Sequence, residues 1–280
     1  MLLHRQQSLL LMITLSPGQK VSGVQLTRWA FLLSEVTPSG GGRSFYDFLP
    51  HKNGPFSFLL RYEVNRLADR QLIDATQDMM WEPVENWNES KMTLPKQIAL
   101  DVARVVENFH TDDSAERAVH QHYPWHSSCG QRPGNEAIEP RIFTIGYEKK
   151  NIDQVLRHLY GAGVKTLVDV RANPVSRKYG FHKSTLSRLC GQLNTAYEHY
   201  PQLGIPRKLR HTRDTDDLLR TYRSDILARQ GDSLRKLATD ASEDPIALLC
   251  MEADPDQCHR SILAQVLREM TGLPIKHLGA

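Results

Sequence analysis

A chain of 280 residues with a formal net charge of +3 and 40% apolar residues is long enough for two modest domains, each with its own core. So small a positive excess permits a polyanionic partner without requiring one, and local clusters must decide. The cysteines Cys129, Cys190, Cys250 and Cys258 are sparse and irregularly spaced, which excludes the dense framework of a small secreted disulfide domain and implies reduced thiols. The apolar run over residues 9–13 is too short for a membrane span of about 20 residues. No small-residue cleavage site follows it, so the expectation is a cytoplasmic protein with no membrane partner.

Residues 9–15 and 24–36 carry two apolar helical patterns split by Ser16, Pro17 and Gly18, the second with Leu26, Trp29, Ala30 and Leu33 at helical spacing. A turn-rich connection is expected over 38–57. The next pattern predicts an amphipathic helix over 59–70, with Leu60, Val64 and Leu67 on one face and Arg61, Arg66 and Arg70 toward solvent. Leu72, Ile73 and Asp74 then read as the entry to a strand. Helix, helix, helix, strand fits a winged helix. The stretch from His51 through Ser57, with the helix after it, resembles winged-helix modules found beside bacterial and phage-related enzymes and regulators, over roughly residues 8–85. The turn at Gly54 and Pro55 before this arginine-bearing helix points to DNA contacts by Arg61, Arg66 and Arg70; an ordinary packing domain with a solvated basic face is the alternative. A further helix over 94–109, with Ile98, Val102, Val105 and Val106 as its apolar set, closes a first domain at 1–110. Residues 111–140, rich in His, Ser, Gly and Pro, read as a linker. Within it His120, His122 and His126 beside Cys129 match no standard zinc spacing.

The pattern over 141–280 is different. "RIFTIGY" is a buried strand ending at Gly146, residues 152–160 a helix stopped by Gly161 and Gly163, and "KTLVDV" a second buried strand, which together make a βαβ unit. Residues 246–251 form a third apolar strand and 259–270 a helix. The fold class expected is α/β: a Rossmann-like, partly parallel sheet with helices on both faces, behind the mainly helical first domain.

In such a sheet a ligand lies beyond the carboxyl ends of the strands. The sequence places Tyr147 after the first strand, Asp169, Arg171 and Asn173 at the second, and Cys250 and Glu252 at the third, with Cys258, His259 and Arg260 opening the next helix. An aspartate after a buried strand is equally often a structural group, so convergence carries the reading. Free N–H groups at the start of that helix, with Arg260 and a second clamp from Arg171, suit a phosphate or carboxylate. Arg177, Lys178 and Lys183, and the run Arg207, Lys208, Arg210 and Arg213, suit either a solvated loop or a nucleic-acid backbone.

Four ordered motifs, "FTIGY", "LVDVRANPVSRKYGF", "YPQLGIPRK" and "LLCMEADPDQCHRSILA", resemble those of a bacterial and archaeal family catalogued as domain of unknown function four-eight-eight, over about residues 142–275. By that resemblance Asp169, Arg171, Pro174, Ser176, Cys250, Glu252, Cys258, His259 and Arg260 occupy the family's motif positions; no settled reaction comes with it.

The leading expectation is a DNA-binding hydrolase, acting on duplex or single-stranded DNA in repair or defence, that cleaves the N-glycosidic bond of a modified or damaged base. Asp169 and Glu252 would stabilise the sugar cation and orient water. Tyr147 is the third catalytic candidate, and Tyr147, Phe181 or His182 would stack on an extruded base. Asn173, Ser176, Cys250, Cys258 and His259 complete the substrate-binding set, with no cofactor and no metal. A second class is thiol or metal chemistry at Cys250, Cys258 and His259. A helix N-terminus gives a cysteine reason for a lowered pKa. However, Asp256 stands where the phosphatase pattern needs arginine, a zinc ion would lack a fourth ligand, and adjacent Cys258 and His259 rarely share one ion. A third is a non-enzymatic DNA-binding regulator that senses a nucleotide.

Overall fold

The computed structural model describes residues 2–51, 54–78, 80–85, 92–122, 139–210 and 215–279. The chain divides into two compact units, Met1–Gly130 and Gln131–Ala280. No helix among the described residues is long and apolar enough to cross a membrane.

The first unit contains α1 (His4–Leu15), β1 (Val21–Ser22), α2 (Gly23–Val36), β2 (Leu49–His51), β3 (Gly54–Phe56), α3 (Phe58–Asp69), β4 (Ile73–Ala75), β5 (Met80–Pro83), α4 (Lys96–Asn108) and α5 (Asp112–His122). Ser22 and Ser57 cap α2 and α3 by accepting from the backbone N–H of Gln25 and Leu60, satisfying donors that a helix start leaves without a partner. Leu60, Val64 and Leu67 are buried as the helical spacing predicts. Strands β1, β5 and β4 form an antiparallel sheet in that order, and β2 pairs with β3 in a hairpin where the sequence suggested only turns.

The linker expected over 111–140 is corrected at its start. Residues 112–122 are helical and pack against α2, because Ala115, Ala118 and Val119 make a narrow small-residue stripe and Arg28 donates to Glu116 at 2.8 Å. Trp29 and Gln25 both donate to the Phe109 carbonyl, at 2.7 and 2.8 Å, and fix the end of α4 beside it. His120 is exposed on α5; Cys129 and His126 lie outside the described residues.

The second unit is built on β6 (Ile142–Gly146), α6 (Ile152–Gly161), β7 (Thr166–Asp169), α7 (Lys183–Gln192), β8 (Ala196–His199), α8 (Arg207–Arg210), α9 (Thr215–Thr221), α10 (Gly231–Glu243), β9 (Ile246–Cys250), α11 (His259–Thr271) and β10 (Ile275–Leu278). Its five strands are all parallel, in the order β10-β6-β9-β7-β8. Every residue of β6 and β9 is buried, as expected when helices cover both faces of a parallel sheet. Asn151 and Gln154 form a capping box at the start of α6, and Gly272, at φ +74°, ends α11 in the left-handed conformation.

Gly146 ends β6 because the backbone after β9 crosses directly over it: a Cβ built there would lie 1.8 Å from the Glu252 carbonyl oxygen. Gly146→Ala is therefore expected to lower stability by at least about 1–3 kcal/mol, the usual cost of overpacking. Gly161→Ala, where a Cβ meets nothing within 4 Å, is expected to be neutral or to raise stability slightly, since alanine is the better helix former. Thermal unfolding followed by circular dichroism separates the two, and equal effects would show that the close approach does not constrain position 146.

Candidate functional site

The connection leaving β7 runs to β8 on one side of the sheet, whereas the one leaving β9 runs to β10 on the other. The chain thus parts between the carboxyl ends of β9 and β7, the switch point where doubly wound sheets open a crevice. Asp169, Val170 and Arg171 stand on one side of it, and Cys250 and Glu252 on the other. His259, the first residue of α11, joins the two sides: its Nε2 lies 3.1 Å from the Val170 carbonyl.

The convergence expected from the sequence is present, but its two charged residues at β7 are committed to each other. Arg171 donates from Nε to Asp169 Oδ1 at 2.8 Å, from Nη2 to Oδ2, and from its backbone N–H to Oδ1 at 3.1 Å. Its Nη1 donates to the Phe181 carbonyl at 3.0 Å and to the Tyr147 hydroxyl at 3.3 Å. Tyr197 donates to Asp169 Oδ2 at 2.6 Å. Asp169 is fully buried and Arg171 nearly so. Burial by itself lowers the Arg171 pKa, but hydrogen bonds and charge from Asp169 more than offset it, so the guanidinium stays charged. Burial, with donation to Asp169, pushes the Tyr197 phenol up and keeps it protonated. Asp169 is therefore not a free base, and Arg171 is not a phosphate clamp.

Two further expectations are corrected. Tyr147 and Phe181 are buried and stacked on each other, ring centres 4.3 Å apart and 14° from parallel, which leaves no slot for an extruded base. Arg260 is also buried and turns inward: Nη1 donates to the Glu252 carbonyl at 2.6 Å and Nη2 to the Ala253 carbonyl at 3.1 Å. It holds the loop after β9 rather than facing a phosphate. Among the described residues its Nε has no hydrogen-bond partner.

Beyond β9 the remaining candidates gather tightly. The thiols of Cys250 and Cys258 donate to the same oxygen of Glu252, at 2.9 and 3.0 Å. His259 Nδ1 faces both sulfurs, at 3.8 and 4.0 Å, and Tyr222 meets the imidazole edge-on at 5.1 Å. Cys250, Cys258 and His259 are buried while Glu252 is half-buried. The lowered pKa expected for a cysteine at a helix start is reversed: burial, reinforced by a hydrogen bond with Cys250, pushes the Cys258 thiol up. Ligand-type atoms of Cys250, Glu252, Cys258 and His259 lie within 4.8 Å of one another.

The other sequence candidates are not drawn into this cluster. Asn173 and Arg177 are exposed. Ser176 is half-buried, its Oγ accepting from the Lys178 backbone N–H at 3.2 Å, and the Lys178 ammonium donates to the Tyr147 carbonyl at 3.2 Å. Lys208 is exposed on α8, whereas the side chains of Arg207 and Arg210, with residues 211–214, lie outside those described. His182 instead rims an open depression of about 500 Å³ together with Lys183, Ser184, Ser187, Tyr197 and His199. Tyr197 and His199 were missed because β8, only four residues long, was not read as a strand. Their i, i+2 spacing, which puts both on one face, was the available signal. His199 Nε2 lies 2.9 Å from the Arg171 carbonyl, so that nitrogen carries the proton, and Nδ1 accepts from Lys183 at 3.2 Å.

Asp169→Asn, which leaves a buried guanidinium without its counter-charge, is expected to cost about 3–5 kcal/mol. The double change Asp169→Leu with Arg171→Met is expected to cost clearly less than the sum of the two single changes. Urea denaturation of the four proteins checks both statements, and additive losses would mean that the two residues do not act as a pair.

Residues 151–267 match a family model described as Domain of unknown function DUF488. No curated protein and no solved structure matches the chain. The matched span takes in β7, β8, β9, most of α11 and every member of the Cys250 cluster, so it is the C-terminal unit of this chain that is similar to the family described as Domain of unknown function DUF488.

Proposed function

We propose that the chain is a DNA-binding hydrolase whose N-terminal unit supplies affinity and whose C-terminal unit carries the reaction. The observation that carries this reading lies in the N-terminal unit. Apart from the β2–β3 hairpin, α1, β1, α2, α3, β4 and β5 follow one another in the order of a winged helix, with the sheet order β1-β5-β4. Helix α3 buries its apolar side and turns Arg61, Arg66 and Arg70 to solvent, as a helix that meets phosphates or a groove requires. Arg66 is partly held by Asp69 at 3.3 Å, which leaves Arg61 and Arg70 as the readier contacts.

For the reaction, Glu252 takes over the work that the sequence divided between two carboxylates, since Asp169 is bound up with Arg171. Glu252 lies half-buried at the crevice, suited to orienting water beside a developing sugar cation in N-glycosidic cleavage of a modified or damaged base. The depression at His182, Tyr197 and His199 lies at the end of β8, two strands from β9, or roughly 10 Å at ordinary strand spacing. That is nucleotide-sized, and its rings replace Tyr147 and Phe181 as the base-stacking surface. A non-enzymatic regulator is the second reading, favoured by the extent to which Asp169, Arg171 and Arg260 satisfy one another or the backbone.

The test is to incubate the full chain with normal and base-modified DNA, duplex and single-stranded, and to look by mass spectrometry for released base or a cut strand. Glu252→Gln is expected to abolish product while DNA binding persists. Arg61→Ala and Arg70→Ala are each expected to weaken binding and to reduce its log–log salt slope by about 1. Binding without product from any substrate moves the assignment to the regulator, and absence of DNA binding sinks both readings.

A further inference from the structure

We propose that Cys250, Glu252, Cys258 and His259 form the binding site of one zinc-class divalent cation. Zinc bonds sulfur at about 2.3 Å and nitrogen or oxygen at about 2.0–2.2 Å in a tetrahedron, which sets ligand atoms roughly 3.3–3.8 Å apart. The two sulfurs lie 2.9 and 3.0 Å from Glu252 Oε2 and 3.8 and 4.0 Å from His259 Nδ1. These four edges need movements of roughly 0.3–0.6 Å to reach that range, and the whole set already lies within 4.8 Å.

The imidazole is already in the ligating form. A carbonyl only accepts, so the contact between Nε2 and the Val170 carbonyl at 3.1 Å places the proton on Nε2 and turns the Nδ1 lone pair toward the sulfurs. Metal-bound histidines are ordinarily oriented by such a contact on the far nitrogen. The objection that adjacent residues rarely share an ion is met by the backbone. Cys258 is extended, at φ −137° and ψ 134°, whereas His259 begins α11, and this change of conformation lets both side chains reach one point. Glu252 supplies the fourth ligand that sequence spacing left unnamed. Its loop is held from behind by Arg260 and by the close pass over Gly146, so the donors sit on a fixed frame.

Donor chemistry selects the ion. Two thiolates, an imidazole and one carboxylate suit a borderline-soft ion, whereas magnesium and calcium require six or more oxygens. Binding releases the two thiol protons to solvent, and the ion's two positive charges then meet three negative ligands and a neutral imidazole. Four side-chain ligands fill the tetrahedron and leave no position for water, so a bound ion would be a structural one and would withdraw Glu252 from orienting water. The site itself consists of this chain's own side chains and stands whether or not the chain acts on DNA.

The test needs no substrate. The full chain, purified under reducing conditions without chelator, is expected to carry about one zinc per chain by elemental mass spectrometry, and Cys250→Ser and Cys258→Ser are expected to lose it. Because a variant can lose metal by misfolding, metal-free wild type is also titrated with Co²⁺. Tetrahedral cobalt with thiolate ligands gives strong visible bands and near-ultraviolet charge-transfer absorption, expected to saturate at one equivalent and to vanish when zinc is added. Absence of those bands, a metal content untouched by both serine variants, or a Cys250–Cys258 disulfide that persists in reductant would each overturn the proposal.

Discussion

The ion pair of Asp169 and Arg171 is the constraint on which the C-terminal unit depends. Placing both charges in a dry interior is costly unless each hydrogen bond is made, and here the guanidinium reaches across three elements to make them. It grips its own strand end at Asp169, the loop before α7 at the Phe181 carbonyl, and the end of β6 through Tyr147, while Tyr197 brings in β8. The next two carbonyls beyond Asp169 each receive an imidazole N–H. That of Val170 takes His259 and that of Arg171 takes His199. One of these rings faces the thiols and the other faces Lys183 and the open depression. A single strand end therefore sets the tautomer of both histidines.

This arrangement changes what charge means in the unit. The two arginines nearest the crevice, Arg171 and Arg260, are interior struts whose partners are a carboxylate and backbone carbonyls. The groups left to meet a ligand are, apart from the Lys183 ammonium, softer and less charged: two thiols, imidazoles, a phenol and one half-buried carboxylate. Exposed positive charge is carried by Arg61 and Arg70 on α3, by Arg177 in the segment after β7 and by Lys183 at the rim of the depression.

The elements that were legible from sequence were those with long, unbroken patterns. β6, β7 and β9 read as apolar runs because both faces of a parallel sheet are covered, and α2, α3 and α4 showed their buried stripes directly. β8 and β10 did not, since Tyr197, Glu198, Lys276 and His277 interrupt strands of four residues at the sheet's edges, where polar side chains are tolerated. α5 was hidden by its polar composition around three small residues. At the site, the topology rule gathered Asp169, Arg171, Cys250, Glu252, Cys258, His259 and Arg260 correctly at the strand ends. What it could not supply was the pairing within that set. Whether an arginine faces inward or outward depends on carbonyls, such as those of Phe181 and Ala253, whose position is fixed only by the folded loops.

The strand order also bears on how the chain reaches its native state. β9 lies between β6 and β7, yet it follows β7 by more than seventy residues, and β6 and β7 make no ladder with each other. During synthesis both earlier strands must wait, each with an open edge, until the ribosome has released residue 250. Such long-range parallel pairing is slow and leaves apolar edges exposed meanwhile. The segment that closes the gap ends in Cys250, so docking of the central strand and assembly of the thiol cluster are one late event.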